Sequence, residues 1–423
     1  MSEQLAINGG PKTIEAPLPP WPWYSEEIIQ AAMEPLREGR INYWTGPRGM
    51  QFEQAFADWC GAKYGISTSN GTSALHVALS GIGIGPGDEV IVPSYTFIAS
   101  SFSVCQAGAV PVFADVEPHG HTISPAAIEA KLSEHTKAIL VVHLYGEMCD
   151  MDAILEIAKR HNLKVVEDCA QAHGGSCHGK KAGTLGDIGA FSFCQSKHFS
   201  TGGEGGCVVT DDEDVAWLCR SFRDHGYDVR QRMSLLELEA KLPYVHNMVG
   251  FNFRMTEMQS AIGLKELERL DNWNLANRRR NAQILNERLA GCPGLLRLPI
   301  DTEARRNAYW LYPIIVDRGA LSCDIKEFTA ALSAEGLPAG PVLWPQCYKE
   351  KAFQEHNGFG KLKYPFEDPA TRPEAVNYAA EFCPNAAEVE KECFWVPTHP
   401  TYDPEHMEAI AEGIRKVAEA FSK

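Results

Sequence analysis

The sequence predicts an α/β protein whose large domain is a mostly parallel β-sheet covered by helices on both faces (α/β/α). Short apolar runs rich in β-branched residues recur, each followed by a turn and a stretch of helical periodicity. The run AILVVH at 138–143 is continuously apolar, which is typical of a strand buried on both faces. Strands that alternate with helices form parallel sheets. The predicted strands are residues 63–68, 89–93, 110–114, 138–143, 164–168, 188–193 and 207–210.

The chain divides into three predicted segments. Residues 1–45 contain the Pro-rich run PLPPWPWY, and we expect an arm without regular structure that packs on a neighbour. Residues 46–290 form the large domain, which closes with a long helix, charged on one side, over 256–289. Residues 291–423 indicate a smaller α+β domain, because an apolar run and two helical stretches follow one another at 310–316, 325–335 and 403–421.

Composition excludes several classes of function. The 423 residues include 39 Lys plus Arg against 55 Asp plus Glu, a formal net charge of −16, and the basic residues form no block. We therefore expect neither nucleic acid nor a membrane as a partner. No apolar run reaches bilayer length and the first residues do not resemble a signal peptide, so we expect a cytoplasmic protein. Thirteen scattered cysteines without a C-x-x-C pair indicate reduced thiols.

The stretch GAFSFCQSKHFSTGGEGG at 189–206 carries the first candidate catalytic residue, Lys197. A predicted buried strand ends at Phe193, and the loop after it presents Lys197 just before two glycine pairs. Desolvation at such a position lowers the pKa of an amine, and a neutral amine is the group that forms a Schiff base with an aldehyde. The alternative is a solvated lysine beside a flexible loop, and this stretch by itself does not distinguish the two.

Two further segments favour the chemical interpretation. Asp168 ends the buried strand VVED, where a carboxylate can keep a pyridine nitrogen protonated. The alternative for Asp168 is the N-cap of a following helix. SNGTSAL at 69–75 follows a strand and opens a helix, so the backbone N–H groups of Gly71, Thr72 and Ser73 can bind a phosphate. The alternative there is an ordinary capping box.

An aromatic pair completes the set. Tyr95 and Phe97 follow the strand that ends at Pro93, and they can place an aromatic face over a planar ring, although core packing of Phe97 is the alternative. The carboxyl ends of parallel strands meet at one sheet edge. The chain order of phosphate cradle, aromatic ring, aspartate and lysine predicts a pyridoxal 5′-phosphate (PLP) site of fold type I. No metal site is predicted, because neither a carboxylate at helical spacing nor a cysteine pair accompanies His119, His121, His173 and His178.

These residues lie in motifs that resemble the DegT/DnrJ/EryC1 family of sugar aminotransferases over essentially the whole chain. The motifs are SNGTSAL at 69–75, GPGDEVIVPSYTF at 85–97, EDCAQAHG at 167–174, SFCQSK at 192–197, GGEGG at 202–206 and GFNFRM at 250–255. The resemblance implies that Lys197 forms the internal aldimine, that Asp168 pairs with the pyridine nitrogen and that Gln171 lies near the phenolic oxygen. It also implies ring stacking by Phe97. Phosphate contacts are implied for Gly71, Thr72, Ser192 and, across a homodimer with shared active sites, Asn252.

The resemblance implies a ping-pong aminotransferase. Glutamate or glutamine leaves its amino group on the cofactor as pyridoxamine 5′-phosphate, and a keto-sugar or keto-cyclitol then accepts it. Some relatives are dehydratases with histidine in place of the lysine, so Lys197 favours transamination. The opening LAINGGPK and the PWPWY arm look more like relatives acting on keto-inositols such as scyllo-inosose, or on the aminohydroxybenzoate branch, than like nucleotide-sugar enzymes. The alternatives are a PLP-dependent sugar dehydratase or epimerase, a 3-amino-5-hydroxybenzoate synthase-like enzyme and a PLP-binding regulator.

Overall fold

The computed structural model describes residues 4–236 and 245–423. Its strands are, in chain order, β1 Tyr64–Thr68, β2 Glu89–Pro93, β3 Val110–Ala114, β4 Thr136–Val142, β5 Lys164–Asp168, β6 Ser176–Cys177, β7 Lys180–Lys181, β8 Ile188–Ser192, β9 Gly206–Thr210, β10 Leu295–Arg297, β11 Arg305–Arg306, β12 Leu311–Val316, β13 Gly340–Pro341 and β14 Cys393–Pro397. Its α-helices are α1 Glu26–Glu38, α2 Arg48–Cys60, α3 Gly71–Gly81, α4 Ala99–Gln106, α5 Pro125–Ala130, α6 Met151–His161, α7 Glu213–Arg223, α8 Val229–Leu236, α9 Glu257–Arg269, α10 Ala276–Leu289, α11 Ile325–Ala334, α12 Lys351–Gln354, α13 Pro384–Glu392 and α14 Pro404–Phe421.

The centre of the fold is a seven-stranded sheet in the order β1-β9-β8-β5-β4-β2-β3. Its strands lie within about two residues of the predicted runs, and every residue of β2, β3 and β8 is buried, as strands covered on both faces require. Strands β8, β5, β4, β2 and β3 are parallel, whereas β9 runs antiparallel to both of its neighbours. The predicted fold class is confirmed, and the carboxyl ends of β5 and β8 meet at one edge.

Apolar side chains cover both faces of this sheet. Successive residues of a strand point to opposite faces, and in β9 Val208 belongs to one apolar cluster while Cys207 and Val209 belong to another. The second cluster contains the rings of Phe52 and Phe56, which come from α2. The sheet is therefore a rigid platform between two packed layers.

The N-terminal arm contains a helix, α1, that the Pro-rich run does not predict. Ser25 caps it, since its Oγ accepts from the N–H of Ile28 at 3.4 Å. Glu26 and Glu27 in the first turn lie at the positive end of the helix dipole. The prediction of an arm without regular structure is therefore wrong for residues 26–38, where the capping signals outweigh the prolines that precede them.

The long helix predicted over residues 256–289 is present but is divided. It consists of α9 and α10, which are joined by a π-helical turn at Leu270–Leu275. Thr256 and Gln259 begin it with a capping box, in which each side chain bonds the other residue's backbone N–H. The π-helical turn places Asn274 in the protein interior.

The apolar residues of 291–423 pack in two different hydrophobic cores. The antiparallel sheet β10-β12-β14-β13 packs with α10, α11 and α14 in a core of its own, which includes Tyr312 and Phe328. Residues 347–389, by contrast, contribute Tyr348 and Tyr378 to the core of the large sheet. Tyr378 Oη donates to the carbonyl of Pro111, at the large sheet, at 3.0 Å. Among the described residues, no helix is long and apolar enough to cross a membrane.

Candidate active site

A cavity of about 960 Å³ opens where β5 and β8 end, and we call it the edge cavity. The start of α3 and the loop after β2 complete its walls. The carboxyl edge of a parallel sheet is where such a site is expected. The structure brings these predicted site residues together in its lining: Gly71, Thr72, Ser73, Phe97, Asp168, Gln171, Ser192 and Lys197.

Asp168 is a buried carboxylate at the floor of the edge cavity. Ser100 Oγ donates to its Oδ2 at 2.7 Å, and the N–H of Ala170 donates to its Oδ1 at 3.1 Å. Burial raises the pKa of Asp168, while these hydrogen bonds and the charge of Lys197 act in the opposite direction. The next element after Asp168 is the short strand β6, so the alternative of a helix N-cap does not apply.

Lys197 presents its amine to the same cavity. Its Nζ lies 4.0 Å from the centre of the Trp310 ring. Burial lowers the pKa of Lys197 to about 8, although the charge of Asp168 raises it. The amine therefore lies against an aromatic ring in the cavity and not beside a solvated loop, and its chemical role stays a prediction.

The start of α3 has the groups that could hold an anion, and we call it the anion cradle. The cavity contains the first turn of this helix, whose dipole and free N–H groups attract negative charge. Asn70 Oδ1 accepts the N–H of Ser73 at 2.8 Å, so the helix is capped and only the hydroxyl of Ser73, which lies 3.2 Å from Ser69 Oγ, could reach an anion. A Cβ on Gly71 would lie 2.6 Å from Ser192 Cβ, so only glycine lets the helix approach Ser192 this closely. Ser192 Oγ accepts from the N–H of Cys194 at 3.3 Å, which leaves its O–H to donate.

Gln171 and Phe97 present complementary groups to the cavity. Gln171 Oε1 accepts the backbone N–H of Tyr145 at 2.6 Å, so the amide NH₂ is the end that can donate to a ligand. The side chain of Phe97 is 48% exposed although it is large and apolar, and its ring centre lies 5.7 Å from that of Trp344. Core packing of Phe97 is thus excluded, and its face is available for stacking.

Asn252 is the predicted site residue that does not line the edge cavity. It is exposed and pairs with Asp224 in an isolated antiparallel bridge. Its neighbours Phe251 and Phe253 line the cavity, with their rings stacked 5.0 Å apart. Alternate residues of an extended segment point to opposite sides, so Asn252 faces away from the site of its own chain.

Several residues of the site were not predicted from the sequence. Ser100, which does not line the cavity but bonds Asp168, lies three residues beyond Phe97 without any motif that marks it. Glu204 lies inside the GGEGG motif and could have been named from it. Trp310, Trp344 and Phe359 come from residues 291–423, far along the chain, and only the fold brings them to the cavity.

Side chains that could share a metal occur in two places among the described residues, His143–Glu167–Cys169 and Asp152–Cys177–His178. The Glu167 carboxylate is already engaged, because it accepts backbone N–H groups at 2.7 to 2.9 Å from Gly183, Leu185 and Gly186. This group therefore ties β5 to the turn before β8. The absence of a metal stays a prediction.

The residues of the edge cavity fit PLP. Asp168 is a buried carboxylate suited to accept from a ring nitrogen, Lys197 is an amine with a lowered pKa, and the missing Cβ of Gly71 lets the start of α3 lie close to the Ser192 hydroxyl. Together with the mostly parallel sheet, this set defines a fold type I PLP-dependent enzyme.

Comparison with known proteins gives the family. The sequence model of the DegT/DnrJ/EryC1/StrS aminotransferase family matches residues 22–415, and the chain belongs to that family. It is 45% identical over 296 residues to the GDP-perosamine synthase of Caulobacter vibrioides, covering 70% of this chain and 76% of the relative. It is 39% identical over 342 residues to the L-glutamine:scyllo-inosose aminotransferase of Streptomyces griseus, covering 79% and 80%. The crystal structure of an aminotransferase from Psychrobacter cryohalolentis matches with a TM-score of 0.85 and 35% identity, over 96% of this chain and 100% of that one. The predicted family, cofactor and enzyme class are confirmed: the chain is a PLP-dependent sugar aminotransferase.

Proposed function

We propose that this protein moves an amino group from glutamine or glutamate to the ring ketone of a keto-sugar or keto-cyclitol, and that it prefers an acceptor without a nucleotide. The observation that carries the proposal is the pairing of an amine of lowered pKa, Lys197, with a buried carboxylate, Asp168, in one cavity. Transamination needs both groups. The amine of Lys197 moves protons, and the carboxylate of Asp168 stabilises the positive charge of the protonated ring nitrogen.

Lys197 is proposed as the group that moves the protons. Bound in this cavity, PLP supplies an aldehyde carbon that holds the amino group and a pyridine ring that takes up negative charge. Lys197 Nζ takes the proton from the donor's Cα, and in the second half-reaction it returns a proton to the former carbonyl carbon of the acceptor. The lowered pKa suits both tasks, since an amine that titrates near the working pH can serve as base and as acid.

Asp168, Gln171 and Phe97 are proposed to hold the cofactor ring. Asp168 keeps a proton on the ring nitrogen, and its burial makes that interaction strong. The Gln171 amide donates to the phenolic oxygen, because its carbonyl end is occupied by Tyr145. Phe97 covers one face of the ring with its exposed face and excludes water from it.

The phosphate is proposed to bind at the start of α3. The N–H groups of Gly71 and Thr72 and the hydroxyls of Ser73 and Ser192 are its donors in this chain. Asn252 points away from its own cavity, which agrees with a contact to the phosphate of a second copy in a homodimer. The two active sites would then be shared between the subunits.

The charge of the cavity supports an acceptor without a nucleotide. Among the described residues that line it, Lys197 is the only lysine or arginine, whereas Asp168 and Glu204 are acids. A nucleotide diphosphate would require cationic partners that these residues do not supply. The relative from Streptomyces griseus is named for scyllo-inosose, an uncharged cyclitol, and for glutamine as donor. The Caulobacter relative is named for a GDP-sugar, so the two acceptor classes must be compared directly.

Absorption spectroscopy tests the proposal in two stages. Glutamine or glutamate is added to the PLP-loaded protein without acceptor, and we expect the aldehyde-form spectrum to convert to the pyridoxamine form. Lys197→Ala should abolish this conversion while Lys180→Ala, at an exposed position, retains it. A keto-inositol should then restore the first spectrum faster than a GDP-linked 4-keto-sugar does. Conversion by Lys197→Ala would refute the role of Lys197, and faster restoration by the GDP-sugar would refute the acceptor class.

A further inference from the structure

The loop that carries Lys197 is held by side chains from distant parts of the chain. Three successive carbonyls of this loop each accept a hydrogen bond from a different segment. The bonds are Trp310 Nε1 to Ser196 O at 2.5 Å, Trp21 Nε1 to Lys197 O at 3.0 Å, and Asn274 Nδ2 to His198 O. The donors belong to the residue just before β12, to the N-terminal arm and to the π-helical turn between α9 and α10.

We propose that Trp21 and Trp310 are positioning residues for Lys197, so that the N-terminal arm is a working part of the active site. The inference rests on the proposed role of Lys197, and it goes further by assigning a function to an arm that lies outside the cavity. The direction of a lysine side chain depends on the φ and ψ angles of its own backbone. Bonds to the carbonyls on either side of the Lys197 Cα fix those angles before any ligand binds.

Trp310 acts on Lys197 at both ends of the side chain. Its indole N–H holds the carbonyl that precedes Lys197, and its ring lies 4.0 Å below Nζ. The backbone of Trp310 is held in turn, because its carbonyl accepts from Arg278 Nη1 at 3.1 Å and its nitrogen lies so close to Gly146 that a Cβ there would be 2.8 Å away. Its ring is parallel to that of Trp344, with an interplanar angle of 4° and centres 6.4 Å apart. The indole is therefore a rigid support for the amine.

Trp21 brings the arm to the other side of the loop. Its ring stacks on His399 with centres 5.9 Å apart and lies 6.1 Å from Trp273. Both the segment between β14 and α14 and the π-helical turn therefore orient it. Tyr24, three residues on, donates from its hydroxyl to the carbonyl of Ser200 at 3.4 Å. The arm thus bonds the Lys197 loop at two points.

Arg278 connects the donors to each other. This fully buried residue donates from Nε to Asn274 Oδ1 at 2.9 Å and from Nη1 to the carbonyl of Trp310 at 3.1 Å. Its guanidinium lies 5.3 Å from the ring centre of Trp21. Burial lowers the pKa of Arg278 to about 9. A buried guanidinium has lost the free energy of its hydration. Its presence here agrees with a role in holding the three segments together.

Conservative variants of the full chain test the proposal. Trp21→Phe and Trp310→Phe keep an aromatic ring but remove the indole N–H, and Trp23→Phe is the matched control. Trp23 lies on the same arm, packs against Trp273 and is 46% exposed. Amide hydrogen exchange of residues 193–203 is measured on the protein without cofactor. The N–H of Lys197 donates to Cys194 O at 2.9 Å, so its exchange rate reports the order of this loop. The rate of covalent PLP capture and its pH profile are then measured by absorbance.

We expect Trp21→Phe and Trp310→Phe to speed exchange in this loop and to slow PLP capture. Each rate should change by about threefold to tenfold, which corresponds to the net free energy of one neutral hydrogen bond. Trp23→Phe should match the natural chain in both. Unchanged loop exchange and capture in Trp21→Phe and Trp310→Phe would overturn the proposal, and so would an equal effect of Trp23→Phe. Failure of the underlying role of Lys197 would look different, because Lys197→Ala would then still capture PLP covalently.

Discussion

Ser100 Oγ donates to Asp168 Oδ2 at 2.7 Å, which joins the first turn of α4 to the last residue of β5. The N–H of Ala170 holds the other carboxylate oxygen at 3.1 Å. Both oxygens of Asp168 are thus oriented before a ligand binds. A hydrogen bond to a carboxylate stabilises its charged form, so Ser100 opposes the effect of burial on the pKa of Asp168.

Ser100→Ala should therefore weaken PLP binding. The carboxylate loses a buried donor, its pKa rises further, and its charge is less available to a protonated ring nitrogen. We expect the Kd for PLP to rise by about tenfold to a hundredfold, because hydrogen bonds to charged groups contribute about 1.5 to 3 kcal/mol. Spectroscopic titration of the cofactor-free chain measures it. Ser103→Ala is the control, since Ser103 is buried on the same helix and bonds the carbonyl of Ser100 at 2.8 Å instead of Asp168. An equal rise in the control would contradict the role of Ser100.

Ser100 also illustrates what the sequence could and could not predict. Asp168, Lys197 and the start of α3 lie at or just beyond the ends of buried strands, so periodicity and the strand-end rule single them out as candidates, whereas their roles come from the family resemblance. Ser100 carries no such signal, because a serine inside a short helix is ordinary. Trp310 and Trp21 reach the site only through the packing of distant segments, and no local pattern encodes that packing. The Pro-rich run before Ser25 predicts irregular structure, whereas the Ser25 cap and the acidic first turn that follow it begin the helix α1.

The pKa of Lys197 predicts how the cofactor-free protein responds to pH. Only the unprotonated amine reacts with acetic anhydride, so labelling of Lys197 should increase with pH with a midpoint near 8. Asp168→Asn should move the midpoint lower, because the charge of Asp168 raises this pKa. Peptide mapping of the labelled chain measures both. A midpoint at about 10.4, the ordinary value for lysine, would contradict the burial that lowers it.

The same pKa has a consequence for stability. The folded chain holds its Lys197 proton less tightly than the unfolded chain, so between pH 8 and about 10.4 the unfolded state binds more protons. The free energy of unfolding of the cofactor-free protein should therefore gain a rising contribution from Lys197 as pH increases through this window. Lys197→Met should remove that slope while it keeps an unbranched side chain that is one heavy atom shorter. Urea unfolding at several pH values compares the two slopes.

Gly71→Ala should damage the anion cradle. The new Cβ would lie 2.6 Å from Ser192 Cβ and 3.0 Å from its Oγ, so α3 and the end of β8 must move apart. Because overpacking costs about 1–3 kcal/mol, we expect PLP affinity to fall by about tenfold. Affinity for pyridoxal, which has no phosphate, should fall much less if the cradle holds phosphate. Gly85→Ala is the control, since no heavy atom lies within 4 Å of its added Cβ. Equal losses for PLP and pyridoxal would place the damage elsewhere.

A buried ion pair behind the sheet gives a prediction about stability alone. Glu53 on α2 and Arg223 on α7 are both buried, and Arg223 Nη1 lies 2.5 Å from Glu53 Oε1. The hydroxyl and N–H of Ser67 on β1 also donate to Oε1, at 2.9 and 3.0 Å, and Tyr43 Oη donates to Oε2 at 3.1 Å. The pair connects two helices to the edge strand of the large sheet.

Glu53→Gln should lower the free energy of unfolding by about 3 to 5 kcal/mol, because it keeps the shape of the side chain but leaves the buried charge of Arg223 without a counter-charge. Glu27→Gln is the control: Glu27 pairs with Lys265 at 2.8 Å, but its side chain is 70% exposed, so the urea midpoint should not change. Neither residue lines the edge cavity, so PLP should convert to its amine form in the folded Glu53→Gln protein as before. A stable Glu53→Gln protein would mean that Tyr43 and Ser67, rather than the ion pair, hold these elements together.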